Sequence, residues 1–399
     1  MKIKGLSLLV LPLAFMVLVS ACGGAGGAAG GGGNVIKVAS VTPLSGSQAA
    51  IGESIKNGAQ MALEERVEEF KKAGFTLQFS PQDDQADPKV GVAVAQKLIV
   101  DNDLYGVVGH WNSGVAIPSS EVYVKGNLVM VSPANTAVAV TDRGLPNVNR
   151  ICARDDAQGP AGADYCFNEM GCKTAFIVQD KTTYGQGVAD EFKKEFEKVG
   201  GQVLGYEGIT QGESDFSAVE EKIRAAKPAA VYFGGIYPEG SLLMKQLKDK
   251  GIDAKFIGPD GMDSAEVIKI AGDAAIGTSY TSLAADISGT PSGKAFVEKY
   301  TKQFNKPPEA YASYGYDAMN VVLNGILAAA KENGGKKPTK EAVVKAVRAT
   351  SGFKGLATNV TFNKIGDNTE ATIYVLTFKE AKYPPVVSKQ IPAKGYLKQ

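Results

Sequence analysis

The chain has 399 residues, 44% of them hydrophobic, and a formal net charge of +1. That is length and apolar content enough for two domains of ordinary size, while a balanced charge gives nucleic acid no electrostatic driving force. A single histidine, His110, and four cysteines without paired Cys-x-x-Cys spacing leave no metal-site motif.

Lys2 and Lys4 precede an apolar run from Leu6 to Val19 that stops at Ser20-Ala21-Cys22. The run is short for a membrane span and contains Pro12, so residues 1–21 read as a cleaved export signal. Val19-Ser20-Ala21-Cys22 resembles a bacterial lipobox, which implies lipid on the Cys22 sulfur and attachment to a bacterial membrane, in the periplasm or on the outer face of the cell. An ordinary secretory signal would instead leave Cys22 free or disulfide-bonded. Residues 22–34 follow as a tether, nearly all Gly and Ala from Gly23 to Gly33. Such a segment loses too much entropy to order and reaches about 20 Å from the membrane. No second apolar run approaches about 18 residues, so the mature body is expected to be soluble. Cys152, Cys166 and Cys172 lie within 21 residues of one another. In an exported chain they permit one disulfide, with Cys166–Cys172 the favoured pairing and one thiol left over.

In the mature body, β-branched runs at 35–41, 77–80, 106–109 and 128–131 alternate with helical patterns at 52–70, 88–101 and 116–125. A second series has strands at 173–179, 202–208, 229–233 and 255–257, with helices at 184–199, 217–226 and 240–250. Apolar strands joined by helices imply parallel sheets covered on both faces, and the chain is therefore α/β with two lobes dividing near 149–156. Past a strand-like 278–283, helices at 292–304, 311–333 and 340–350 fit a return to the first lobe. A tail with strands at 360–362 and 372–378 fits the second. The lobes are expected at 35–152 plus about 281–358 and at 153–280 plus about 359–399. Three hinge crossovers follow from that path.

Several strings then carry a resemblance. They include Thr42-Pro43-Leu44-Ser45-Gly46, Asp83-Asp84-Gln85-Ala86-Asp87-Pro88, Val108-Gly109-His110-Trp111-Asn112-Ser113, Ser132-Pro133-Ala134-Asn135-Thr136, Gln158-Gly159-Pro160, Asp180-Lys181-Thr182-Thr183-Tyr184-Gly185 and Gly258-Pro259-Asp260-Gly261. In order and spacing these resemble the periplasmic binding proteins for leucine, isoleucine and valine, over nearly the whole mature chain. The resemblance implies two doubly wound lobes of the type I periplasmic binding protein fold, with ligand in the cleft at the carboxyl ends of the strands. It implies that Ser113, Ala134 and Thr136 hold a ligand carboxylate. Asp260, one methylene shorter than the family's usual Glu, would pair with the ammonium, and Tyr184 would face the cleft from the opposite lobe. Ser113 also reads as a helix N-cap, and Asp260 as part of a turn, on local grounds alone.

Ile51 and Ile236 stand where that family often places rings, with Tyr237 beside the second and Trp111 a candidate to refill the space. The family's loop disulfide is absent, its positions holding Ala86 and Asn112. The expected function is capture of a small amphipathic molecule, an amino acid with a branched-chain or other aliphatic side chain foremost, by a monomer that delivers it to an ABC permease. Short amides, urea, aromatic acids and a sensor role are the alternatives. Neither a cofactor nor a metal is expected. No Gly-x-Ser-x-Gly or Walker loop occurs, and His110 reads as a hydrogen-bonded turn residue, so no enzyme is expected.

Overall fold

Strands that are apolar along their whole length must be covered on both faces, and this requirement shapes both halves of the chain. The computed structural model describes residues 34–284 and 286–396. The expected signal, the lipobox Cys22 and the tether through residue 33 lie outside the described residues. The first sheet is wholly parallel, in the order β2-β1-β3-β4-β5, from β1 (Val35–Thr42), β2 (Thr76–Asp83), β3 (Leu104–Gly109), β4 (Val129–Ser132) and β5 (Val148–Arg150). Its helices are α1 (Ala49–Glu65), α2 (Val67–Lys72), α3 (Pro88–Ile99), α4 (Ser113–Lys125) and a short α5 (Ala139–Asp142). The single helix expected over 52–70 is two, parted at Arg66, whose guanidinium donates to Asn320 at 3.0 Å.

The second sheet follows α6 (Asp155–Asp164) and runs through β6 (Thr174–Gln179), α7 (Thr183–Lys198), β7 (Gln202–Gly208), α8 (Ser217–Ala226), β8 (Ala230–Gly234), α9 (Tyr237–Asp249), β9 (Lys255–Gly258), α10 (Glu266–Ala271) and β10 (Ser279–Ser282). The chain then makes α11 (Pro291–Phe304), α12 (Ala312–Glu332) and α13 (Lys340–Arg348), of which α12 and α13 pack on the first sheet. α12 lies so close to α1 that a Cβ on Gly58 would fall 1.8 Å from the Ala312 carbonyl oxygen. A ribbon of β11 (Phe353–Lys354) and β12 (Asn359–Val360) precedes β13 (Thr372–Thr377) and β14 (Val386–Pro392), which join the second sheet antiparallel. Its order is β14-β13-β10-β9-β8-β6-β7. Three crossovers join the lobes, between β5 and α6, β10 and α11, and β12 and β13.

α6 was not expected, because Gln158-Gly159-Pro160-Ala161-Gly162 has poor helix propensity. Packing overrides it: a Cβ on Gly159 would lie 2.8 Å from the backbone nitrogen of Phe192 on α7, so only glycine admits this approach. The favoured Cys166–Cys172 disulfide is not formed. Both residues, with Cys152, are buried free thiols. The turn between them closes instead through the Cys172 N–H donating to the Cys166 carbonyl at 3.0 Å.

At the hinge the fully buried Arg150 donates to Asp367 at 2.6 Å and to the carbonyls of Asn135 and Ala137 at 2.9 Å each. Arg154 and Thr141 donate to the same carboxylate at 2.9 and 2.6 Å. Burial opposes the charge on Asp367, yet the adjacent guanidiniums and hydroxyl hold its carboxyl below the ordinary range. Removing one side of a buried pair leaves the other charge uncompensated. Asp367→Ala is therefore expected to cost about 3–5 kcal/mol in urea denaturation, and a loss below about 1 kcal/mol would show that the pair is not structural.

Candidate functional site

The crevice of an open α/β sheet lies beyond the carboxyl ends of its strands, where strand order reverses. In the first sheet that point is between β1 and β3, and in the second between β6 and β8. A cavity of about 260 Å³ opens there between the lobes, the scale of one small molecule. Its wall on the first lobe includes Trp111, Asn112, Ser113 and Ala134; on the second, Asp180, Tyr184, Gln211, Ile236 and Asp260.

Ser113 begins α4 and is buried, its hydroxyl accepting from the Ala137 N–H at 3.4 Å. The helix N-terminus supplies unpaired amides and a positive dipole end, a setting for an anion. Asn112, not Ser113, is the N-cap residue. Across the cavity, Asp260 is 2% exposed. Its carboxylate accepts from Tyr184 at 2.7 Å, Gln158 at 2.9 Å and Tyr311 at 2.6 Å. Tyr311 comes from the N-cap of α12 on the first lobe, so this bond spans the cleft. Tyr237 spans it too, its hydroxyl donating to the Ser47 carbonyl.

A second carboxylate, Asp155 at the start of α6, shares the Gln158 amide with Asp260, at 3.2 Å. Its other oxygen is buried and unpartnered, as is the Thr136 hydroxyl. Burial first and the charge of Asp260 second push the Asp155 carboxyl up to about 8. Burial raises Asp260 as well, against its hydrogen bonds. The pair relieves its repulsion by sharing one proton, which Asp155 holds.

Of the residues singled out from sequence, Trp111, Ser113, Ala134, Tyr184, Ile236 and Asp260 line the cavity. Thr136, Ile51 and Tyr237 are buried but are not among its lining residues. Ile51 packs into the apolar core along α1 instead of over the cavity. Trp111 lies edge-on to Tyr311, with ring centroids 4.9 Å apart. Sequence reasoning gave no role to Tyr311, Gln158, Asp155, Asn112, Asp180 or Gln211. Gln158 and Asp180 sat in recognised strings, but Tyr311 meets Asp260 only through the tertiary fold. His110 lies beneath the cleft loop, fully buried, its ring bonded to Asp84 at 2.7 Å and Tyr123 at 3.1 Å.

Residues 35–382 match the family model described as periplasmic binding protein. The chain belongs to that family. More narrowly, it belongs with the Leu/Ile/Val-binding proteins: it is 38% identical to Leu/Ile/Val-binding protein homolog 2 of Brucella abortus over 332 residues, 83% of this chain and 87% of that one. It is 37% identical to Leu/Ile/Val-binding protein BraC3 of Rhizobium johnstonii, over 87% of this chain and 92% of that one. Among solved structures, the leucine binding protein LivK of Thermotoga maritima superposes with a TM-score of 0.80 at 27% identity, covering 90% of this chain and 99% of that one. The fold of this binding protein is thus the type I periplasmic binding protein fold, and its family places it outside the cytoplasm.

The Asp155 carboxyl sets a pH dependence on the binding protein without ligand. With its folded value above the ordinary 3.8, the folded state holds a proton that the unfolded chain has released. Its contribution to stability therefore falls as pH rises from about 4 to about 8. Asp155→Asn removes that loss, so the variant's stability relative to the wild type should improve steadily between pH 5 and pH 8. Urea midpoints at both pH values measure this, and a constant difference would contradict a buried, proton-holding Asp155.

Proposed function

We propose that the protein captures a free amino acid between its closing lobes and delivers it to an ABC permease, working from a lipid anchor on Cys22. The observation that carries this reading is the opposition of two poles across one cavity. The hydroxyl of Ser113 and the first turn of α4 suit a carboxylate. Asp260, buried with Asp155 behind it, suits an ammonium. An α-amino acid carries both charges on one carbon. Relatives named Leu/Ile/Val-binding proteins, similar over most of their length, support the same ligand class. Thr136 acts from behind the wall, its position held by the Asp155 N–H donating to its carbonyl at 2.9 Å. Tyr237, bonded across the cleft, acts as a latch of the closed form, and Ile51 supports α1 beneath the site.

The cleft works by binding alone. His110 is enclosed by Asp84 and Tyr123 and presents no free nitrogen to a ligand. Closure buries the zwitterion, and the closed pair of lobes is the form a permease receives.

Calorimetry on Asp260→Ala tests the assignment: amino-acid binding should weaken by about 2–5 kcal/mol, the cost of truncating one side of a buried charge pair. Unchanged affinity would remove the ammonium from the account. In a thermal-shift screen, an amino acid at about a hundred times its Kd should add about 2.7 kcal/mol of stability. Stabilisation by urea, a short amide or benzoate, and by no amino acid, would replace the reading with one of those ligands. Cys22→Ser should shift the protein from the membrane fraction to the soluble fraction; retention in the membrane would exclude the anchor.

A further inference from the structure

Asn135 is fully buried and is not among the residues that line the cleft cavity, yet it joins three segments that meet beneath it. Its side-chain oxygen accepts from the His110 N–H at 3.1 Å and from the Ser132 hydroxyl at 2.8 Å, and its side-chain nitrogen donates to the Trp111 carbonyl at 2.8 Å. Its own N–H donates to the Ser132 hydroxyl oxygen at 2.8 Å, and its carbonyl accepts from Arg150 at 2.9 Å.

The need for such a residue follows from where the first sheet stops. The parallel register of β3 and β4 ends at Val108 and Val131. Both chains then run on as loops, one leading through His110, Trp111 and Asn112 into α4, the other carrying Ala134 and Thr136. A carboxamide has the donor and the acceptor of a peptide unit. By accepting from residue 110 and donating to residue 111, Asn135 continues with a side chain the pairing that the two backbones have given up. The direct contact between the loops is weaker, for the Ala137 N–H reaches the Ser113 hydroxyl only at 3.4 Å. On its other side the strap meets the hinge. The Arg150 guanidinium, paired with Asp367, holds the Asn135 and Ala137 carbonyls at 2.9 Å each.

We propose that Asn135 is a positioning residue: it fixes the start of α4 against the loop at 134–137 and so sets how strongly the site holds a ligand carboxylate. This rests on the reading of that pole as the carboxylate end and names what keeps it in shape. Asn135→Asp keeps the acceptor but has no donor for the Trp111 carbonyl. Asn135→Ala leaves the His110 N–H and the Trp111 carbonyl buried without partners, a penalty the loops escape only by moving apart.

Two readouts test the proposal, and the first needs no ligand. Trp111 is the one tryptophan of the chain, 6% exposed and within the strapped loop, so its emission reports that loop directly. In both variants Trp111 emission should move to longer wavelength and acrylamide quenching should increase. Should Asn135→Ala not fold, Ser132→Ala, which removes the hydroxyl that orients Asn135, should move both signals in the same direction and by less. The second readout is calorimetry with L-leucine and its methyl ester. In Asn135→Ala the ratio of acid to ester affinity should fall at least about tenfold, with the ester bound within about threefold of the wild type. Unchanged emission and quenching in both variants would overturn the strap. Altered emission with an unchanged ratio would overturn the link to the carboxylate and leave Asn135 a merely structural residue. A wild type that binds neither probe, or does not distinguish acid from ester, would overturn the carboxylate reading and with it the effect on affinity, while the emission would still decide whether Asn135 holds the loop.

Discussion

The ion pair between Arg150 and Asp367 is the constraint on which the hinge and the cleft both depend. Arg150 ends the last strand of the first sheet, at the first crossover, and Asp367 lies on the third. The backbone repeats the connection, with the Arg150 N–H donating to the Gly366 carbonyl at 2.9 Å and Asn368 donating to the Ile151 carbonyl at 2.9 Å. A buried pair is a weak source of stability unless every lone pair and proton is engaged. Here the second carboxylate oxygen takes Arg154, and the rest of the Arg150 guanidinium reaches the carbonyls on either side of Thr136. The cradle loop at 134–137 is thereby fixed to the axis about which the lobes are joined.

From that axis the cleft gains its polarity. The first lobe presents the start of α4, and the second presents Asp260. Tyr311 donates to Asp260 from α12, so a helix covering the first sheet contributes to the acidic pole of the other lobe. Two carboxylates sharing one Gln158 amide are an unfavourable arrangement in an apolar interior, and the raised Asp155 carboxyl expresses it. On the proposed reading, a bound ammonium would offset that repulsion only where both lobes enclose it, giving the ligand a higher affinity for the closed form than for the open one. Such a difference in affinity is what closure of the lobes on a ligand would require.

Much of this architecture was legible in the chain. Alternation of apolar runs with helical patterns marked both βαβ series, and the strings around Ser113, Ala134, Tyr184 and Asp260 pointed to the cleft those residues line. What stayed hidden has physical causes. α6 has the composition of a loop, and only its close seat against α7 makes its glycines necessary. β14 is an exposed edge strand whose residues lack a buried face to give it a period. Tyr311 is 51 positions from Asp260, and nothing local announces a partnership that α12 creates by packing on α1. Ile51 shows the converse: it lies beside the cleft in family terms yet belongs to the core in this fold.

Recognition of a zwitterion by opposed poles is the proposed basis of binding, and editing the ligand tests it without disturbing the protein. Calorimetry would compare the tightest-binding amino acid with its methyl ester and with the corresponding acid lacking the amine. Each edit leaves one buried pole without its charge, so each should weaken binding at least about a hundredfold. An acid without the amine that bound as tightly as its parent would contradict the role given to Asp260 and, with it, the zwitterion.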